Sequence, residues 1–218
     1  MQTPAFYDTL FGDLPLAEWA GHGDRIEAEP WPDFARAAAA VAAGETALAC
    51  RTLRALTEAA GLESRHTLQA WSGLRELNCP EARRAERAVL GVVIEAHADR
   101  GEEGHDILAV YADRSAYYLD HAKGTVVWQN PDASLEEEIG AVLDAAAEIL
   151  PKIGPWSGKR LPPPQQGNVR LDILTPVGLC FGEGPFAAIA RDPVGGPLVK
   201  AGATLVHRLS MLPKAAVN

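Results

Sequence analysis

The chain is 218 residues long, 47% hydrophobic and 22% charged, with a formal net charge of −9 at pH 7. These values describe a globular protein with room for one large core or two small ones, and they exclude a disordered chain. The acidic balance argues against nucleic acid as a partner, because neutralising phosphates takes a surplus of Lys and Arg; no apolar run approaches the roughly 18 residues that cross a bilayer.

Residues 1–32 read as irregular and rich in aromatics and prolines (Phe6, Tyr7, Phe11, Trp19, Trp31), with one short helix at Leu14–Ala20. Such a segment is expected to drape over the body of the chain. Asp33 is a good N-cap for an alanine-dense helix, Phe34–Ala43, which Gly44 ends. Thr46–Ala60 puts Ala49, Leu53, Leu56 and Ala60 on one amphipathic stripe, with Gly61 at the left-handed cap position. Ser64–Leu77 follows, with Leu68, Trp71 and Leu74 inward, and stops at Asn78 ahead of Pro80. The three resemble a helical hairpin of the tetratricopeptide type, although only about one repeat is present.

Ala88–Ile94 is a continuous apolar run with β-branched residues, the pattern of a strand buried on both faces. It opens a series of strand-like segments: Val89–His97, Asp106–Asp113, Ser115–Asp120 and Thr125–Trp128. Asp99–His105, Asp113–Arg114 and Ala122–Gly124 supply the turns. Connections this short permit only antiparallel neighbours, so a meander is expected. Ser134–Leu150 is an amphipathic helix with a capping box at Ser134 and Glu137, and Pro151 stops it. Gly154–Gly167 is a proline-rich excursion, read as a lid or a partner-binding arm. Asn168–Thr175 and Val177–Phe181 are two further strands. Gly184-Pro185 and Gly196-Pro197 each place a glycine before a proline at a helix start, the second opening Leu198–Leu212.

The order predicts an α+β fold: helical hairpins, then an antiparallel sheet of about five to six strands covered by helices. Residues 1–80 form the helical subdomain and 81–218 the α+β domain.

Three cysteines, Cys50, Cys79 and Cys180, are odd in number, widely spaced and without zinc-site spacing. They read as reduced thiols. No basic segment leads an apolar block at the N-terminus, so a cytoplasmic location is the expectation. Cys180 could serve as a nucleophile with His121 or His207 as base. Its neighbours Leu179 and Phe181 point instead to a buried, inert thiol.

The stretch Gly178–Pro185 has the outline of a phosphate cradle between strand and helix. Pro185 removes a donor and Glu183 adds negative charge, so a structural turn is expected. His97, Glu102, His105 and Asp106 gather at one turn where a metal could sit, but a solvated loop is the simpler reading, and neither metal nor cofactor is expected. The strands offer a more specific candidate. Tyr111, Tyr118 and Trp128 fall in neighbouring strands and, with Arg170 and Glu183, could line a small-molecule pocket. Ordinary packing of the aromatics is the alternative.

Several segments occur together: Gly61-Leu-Glu-Ser-Arg-His66, Gln69-Ala-Trp71 with Leu74-Arg75, Leu90-Gly-Val-Val93 and Tyr111-Ala-Asp113. They are joined by Leu174-Thr-Pro176, Gly178-Leu179, Phe181-Gly182, Gly184-Pro185 and Asp192-Pro193. As a set they resemble an uncharacterised bacterial protein family, over roughly residues 60–212. The resemblance implies no activity. Its members more often carry Ser-Gly-Leu-His where this chain has Val177-Gly178-Leu179-Cys180, which weakens Cys180 as a catalytic residue.

With no polar constellation at catalytic spacing, the expected role is that of a non-enzymatic binding or protein-interaction protein, through a protein partner or self-association. The competing expectation is a small-molecule enzyme with its site between the Tyr/Trp sheet face and the Gly178–Pro185 turn. The two part on whether Arg170, Glu183 and Tyr118 converge.

Overall fold

The computed structural model describes residues 4–22, 28–97, 104–122 and 124–212. The chain divides into two compact units, residues 2–87 and 88–218. Among the described residues are eight α-helices and one antiparallel sheet of six strands, an α+β fold. None of those helices is long and apolar enough to cross a membrane.

The first unit holds α1 (Pro4–Thr9), α2 (Leu16–His22), α3 (Trp31–Ala42), α4 (Thr46–Thr57) and α5 (Ser64–Glu76). The N-terminal segment is part of its core rather than a drape. Leu14, Leu16 and Trp19 are buried with Phe34, Leu53, Leu56 and Leu74. Trp19 stacks on Trp31 at 5.6 Å and meets the His66 ring edge-on at 5.5 Å. The buried Gln69 amide donates to the Leu14 carbonyl (2.6 Å) and accepts from the Leu14 N–H (3.1 Å). It thereby satisfies both backbone groups of a residue that would otherwise be buried without partners. Asp33 is not the cap expected of it: α3 starts at Trp31, with Pro32 in the first turn. Asp33 sits inside that turn, where it pairs with Arg36.

Cys50 on α4 and Cys79 are not free thiols. They form a disulfide with their Cα atoms 5.9 Å apart, because the turn at Asn78 (φ 55°) brings the end of α5 back beside α4. This pairing removes the thiol argument for a reducing compartment. Cys180 takes no part in a disulfide and is fully buried.

The second unit is built on β1 (Gly91–His97), β2 (His105–Tyr111), β3 (Ala116–Asp120), β4 (Gly124–Trp128), β5 (Asn168–Thr175) and β6 (Gly178–Pro185). The strands lie in the order β4-β3-β2-β1-β5-β6, every pair antiparallel, so the first four form the expected meander. β5 returns to the other side of β1. Two helices, α6 (Glu136–Ile149) and α8 (Gly196–Ser210), bury Ile139, Val142, Ala146, Leu198, Leu205 and Leu209 against one face of the sheet. Each such side chain contributes about 1.5–3 kcal/mol.

Two local expectations change. The α6 capping box is replaced by Asp132, whose carboxylate accepts from Ser134 N at 2.8 Å ahead of a short 3-10 turn. Gly178–Pro185 is no turn: it is the edge strand β6, paired along its whole length with β5. An edge strand is hydrogen-bonded on one side only, so glycines and a terminal Pro185 cost it little. Pro185 then caps α7 (Phe186–Ile189).

Candidate functional site

Side chains alternate across a sheet, and that alternation divides the expected pocket. Tyr118 and Trp128 point into the core beneath α6 and α8. Tyr111, Arg170 and Glu183 belong to the other face, where Tyr111 packs edge-on against Tyr117 at 5.9 Å. The five residues therefore do not form one site. Arg170 and Glu183 do meet, directly opposite each other in the β5–β6 register. The turn at which a metal could have sat divides in the same way. His105 turns towards Glu95 while Asp106 faces the helices, and Glu102 lies outside the described residues.

On the face away from the helices, a buried ionic network occupies the centre of the sheet. The Arg170 guanidinium, 3% exposed, donates to Glu183 from Nε (2.9 Å) and Nη2 (2.6 Å) and to Glu95 from Nη1 (3.3 Å). It also grips the proline-rich excursion, through the carbonyls of Leu161 (3.3 Å) and Pro162 (2.7 Å). The Phe181 ring lies 5.8 Å from the guanidinium carbon, and Trp156 meets that ring edge-on at 5.4 Å. Burial pulls the guanidinium pKa down, but the Glu183 hydrogen bond and the charges of Glu95, Asp172 and Glu183 outweigh it and leave it raised.

The excursion is thus a strap laid on the sheet. Trp156 N–H donates to the Leu179 carbonyl (2.6 Å), Gly167 N–H to the His97 carbonyl (3.1 Å), and His97 Nδ1 to the Pro164 carbonyl (3.1 Å). Beneath it, Glu95 is fully buried and lies 3.1 Å from His105 Nε2. Asp172 is 1% exposed, and neither carboxyl oxygen has a hydrogen-bond donor. Burial first, then the negative charge of Glu95 beside it, push Asp172 well above the usual carboxylate range.

A different feature lies on the helix side. A hollow of about 150 Å³ opens between the sheet and α8, lined by Ile94, Tyr118, Phe186, Gly202, Val206 and Asp106. Gly202 sets its depth: a Cβ there would come within 2.5 Å of Ile94 Cδ1, so α8 approaches the sheet more closely than a side chain would allow. Asp106 Oδ1 accepts from His121 N (3.0 Å) and Nδ1 (2.7 Å). Asp106, Asp120 and His121 offer ligand atoms that all lie within 4.8 Å of one another, a donor set suited to a divalent cation. A second hollow, about 470 Å³, lies along α6 and α8 and has no aromatic in its lining.

The sequence reading passed over Glu95 and Asp172. Their signal was present: each is an acid inside an apolar strand, Ile94-Glu95-Ala96 and Leu171-Asp172-Ile173. Asp120, the last residue of β3, carried none. Compared with protein-family models, curated proteins and solved structures, the chain matches none.

Proposed function

We propose that the protein binds a small molecule in the hollow between the sheet and α8, a ligand with a ring-sized apolar body and a positively charged group. One observation carries this reading: an apolar hollow whose lining includes a single charged side chain, Asp106. At about 150 Å³ it matches the size of an apolar cavity that takes up benzene, and it is smaller than the roughly 300–1,000 Å³ of drug-sized pockets. Among the described residues, both hydrogen bonds to Asp106 fall on Oδ1, which leaves Oδ2 for an ammonium group. Tyr118 and Phe186 both line the hollow, the latter just past the Gly178–Pro185 segment.

Thermal shifts with benzylamine, toluene and benzoate test it. Benzylamine should stabilise most, by up to about 2.7 kcal/mol at a hundred times its Kd. Asp106→Asn should weaken the shift, and Ala203→Trp, which fills the mouth, should abolish it. Equal responses to benzylamine and benzoate, or a shift untouched by Ala203→Trp, would contradict the reading.

A protein partner is the second reading, favoured by the strap. It holds Trp156 (43% exposed) and Leu161 (37% exposed) outward on a segment that Arg170 clamps from below. Light scattering supports this reading if the chain self-associates and Trp156→Ala abolishes the association. A monomer in both proteins counts against it.

A further inference from the structure

The second site is the acid pair under the strap, on the opposite face from the ligand hollow. Asp172 and Glu95 occupy the same sheet face on adjacent strands, where Asp172 is opposite Val93 and Glu95 opposite Arg170. Both side chains are removed from solvent. A carboxylate buried with no donor, as Asp172 is, is costly, and the negative charge of Glu95 beside it raises the cost further. One proton resolves both difficulties, because a carboxylic acid on either residue donates to the carboxylate of the other. Carboxyl pairs in close contact titrate in this way, as a unit that keeps one proton long after an isolated acid has lost its own.

We infer that Glu95 and Asp172 hold a single proton between them, and that this proton keeps the strap Gly154–Gly167 closed. The charged and titratable groups facing the pair among the described residues are Arg170 on β5, Glu183 on β6, Arg160 on the strap and the His105 imidazole on β2. With the proton in place, Glu95 and Glu183 carry the negative charge, and Arg170 keeps hydrogens for the Leu161 and Pro162 carbonyls. When the proton passes to a base in solution, Asp172 and Glu95 are both carboxylates beside that guanidinium. A charged acceptor forms a bond roughly twice as strong as a neutral carbonyl does. Arg170 is drawn from the strap carbonyls to the pair, and the strap loses its grip on the sheet. The raised affinity of Asp172 for its proton moves this event above the ordinary carboxylate range.

Trypsin reads the strap directly, since its peptide bonds after Lys159 and Arg160 are substrates. Cleavage of an opened segment follows the population of the open form. The rate is taken relative to a free peptide of residues 154–167, from about pH 6 to about pH 10, which removes the pH response of trypsin itself. The relative rate should be level while the pair keeps its proton and then rise, by up to about tenfold per pH unit, as that proton is lost. Asp172→Asn, which keeps the shape of the protonated acid and has no proton to lose in this range, should give a low, level rate throughout. Infrared spectra at the low end of that range should show the C=O stretch of a protonated carboxylic acid in the wild type and not in Asp172→Asn. A relative rate that stays level to about pH 10, the same rise in Asp172→Asn, or no acid C=O stretch in the wild type at the low end of the range overturns the inference.

Discussion

Asp172 of β5 and Glu95 of β1 are diagonal neighbours across the β1–β5 ladder, and Arg170, opposite Glu95, donates to Glu95 and acts on Asp172 through its charge alone. The pH dependence of stability follows from this placement. The Asp172 carboxyl is raised above its ordinary value of 3.8 in the folded protein. Below that value both folded and unfolded chains hold the proton, and Asp172 costs nothing. Above it the unfolded chain ionises while the folded one does not, so the stability contribution falls as pH rises and levels off once the folded carboxyl ionises. Asp172→Asn should therefore be neutral near pH 3.8 and stabilising at neutral pH. A gain of about 1–3 kcal/mol is expected in urea melts at pH 7. Destabilisation at pH 7 would show that the carboxyl is satisfied as it stands.

Arg170→Lys is expected to be far from conservative. A lysine ammonium cannot reach Glu95, Glu183 and two strap carbonyls at once, and it leaves buried carboxylates uncompensated. Loss of about 3–5 kcal/mol is expected from breaking such a pair. Denaturant midpoints would check it, and a loss below about 1 kcal/mol would mean the network is well solvated.

The disulfide closes a separation of 29 residues in the helical unit. Constraining the unfolded chain over a loop of that length contributes about 3–4 kcal/mol. Cys50→Ser with Cys79→Ser should lower the stability of residues 2–87 by that order, as read by hydrogen exchange in α4 and α5. Dithiothreitol should reproduce the effect in the wild type and do nothing further in the variant.

Gly12 and Gly44 separate strain from crowding. Both have positive φ (57° and 77°), but a Cβ on Gly12 would meet Leu68 Cβ at 2.7 Å and the Arg65 carbonyl at 2.8 Å, whereas none lies within 4 Å at Gly44. Gly44→Ala should cost about 1–2 kcal/mol, the left-handed penalty alone. Gly12→Ala should cost a further 1–3 kcal/mol or so, because backbone must move. Equal losses in thermal melts would place the segment around Gly12 further from α5 than described.

Much of the fold was legible because its signals are local. The apolar stripe Ala49, Leu53 and Leu56 and the short turns between Val89 and Trp128 each act within a few residues, and α4 and the meander follow from them, although α4 ends at Thr57 with Glu58 as its C-cap, short of the cap expected at Gly61. Gly178–Pro185 was misread because glycine and proline mark turns by their backbone freedom, while an edge strand tolerates them through its one unpaired side. The site was less legible. Adjacent Tyr117 and Tyr118 must face opposite ways, but which of them shares a face with Arg170 depends on the register of β1, β2 and β5. The Arg170–Glu95 pair spans 75 residues, and no pattern inside either strand announces it. The Cys50–Cys79 bond similarly depends on how the end of α5 meets α4, which spacing alone does not reveal.

The central claim, that the hollow beside α8 receives a small cationic ligand, is tested most directly by a crystal structure of the protein with benzylamine. The account predicts the ring between Tyr118 and Phe186, with its ammonium nitrogen at about 3 Å from Asp106 Oδ2. An empty hollow at saturating benzylamine, or a ring seated there with its nitrogen turned away from Asp106, would contradict it.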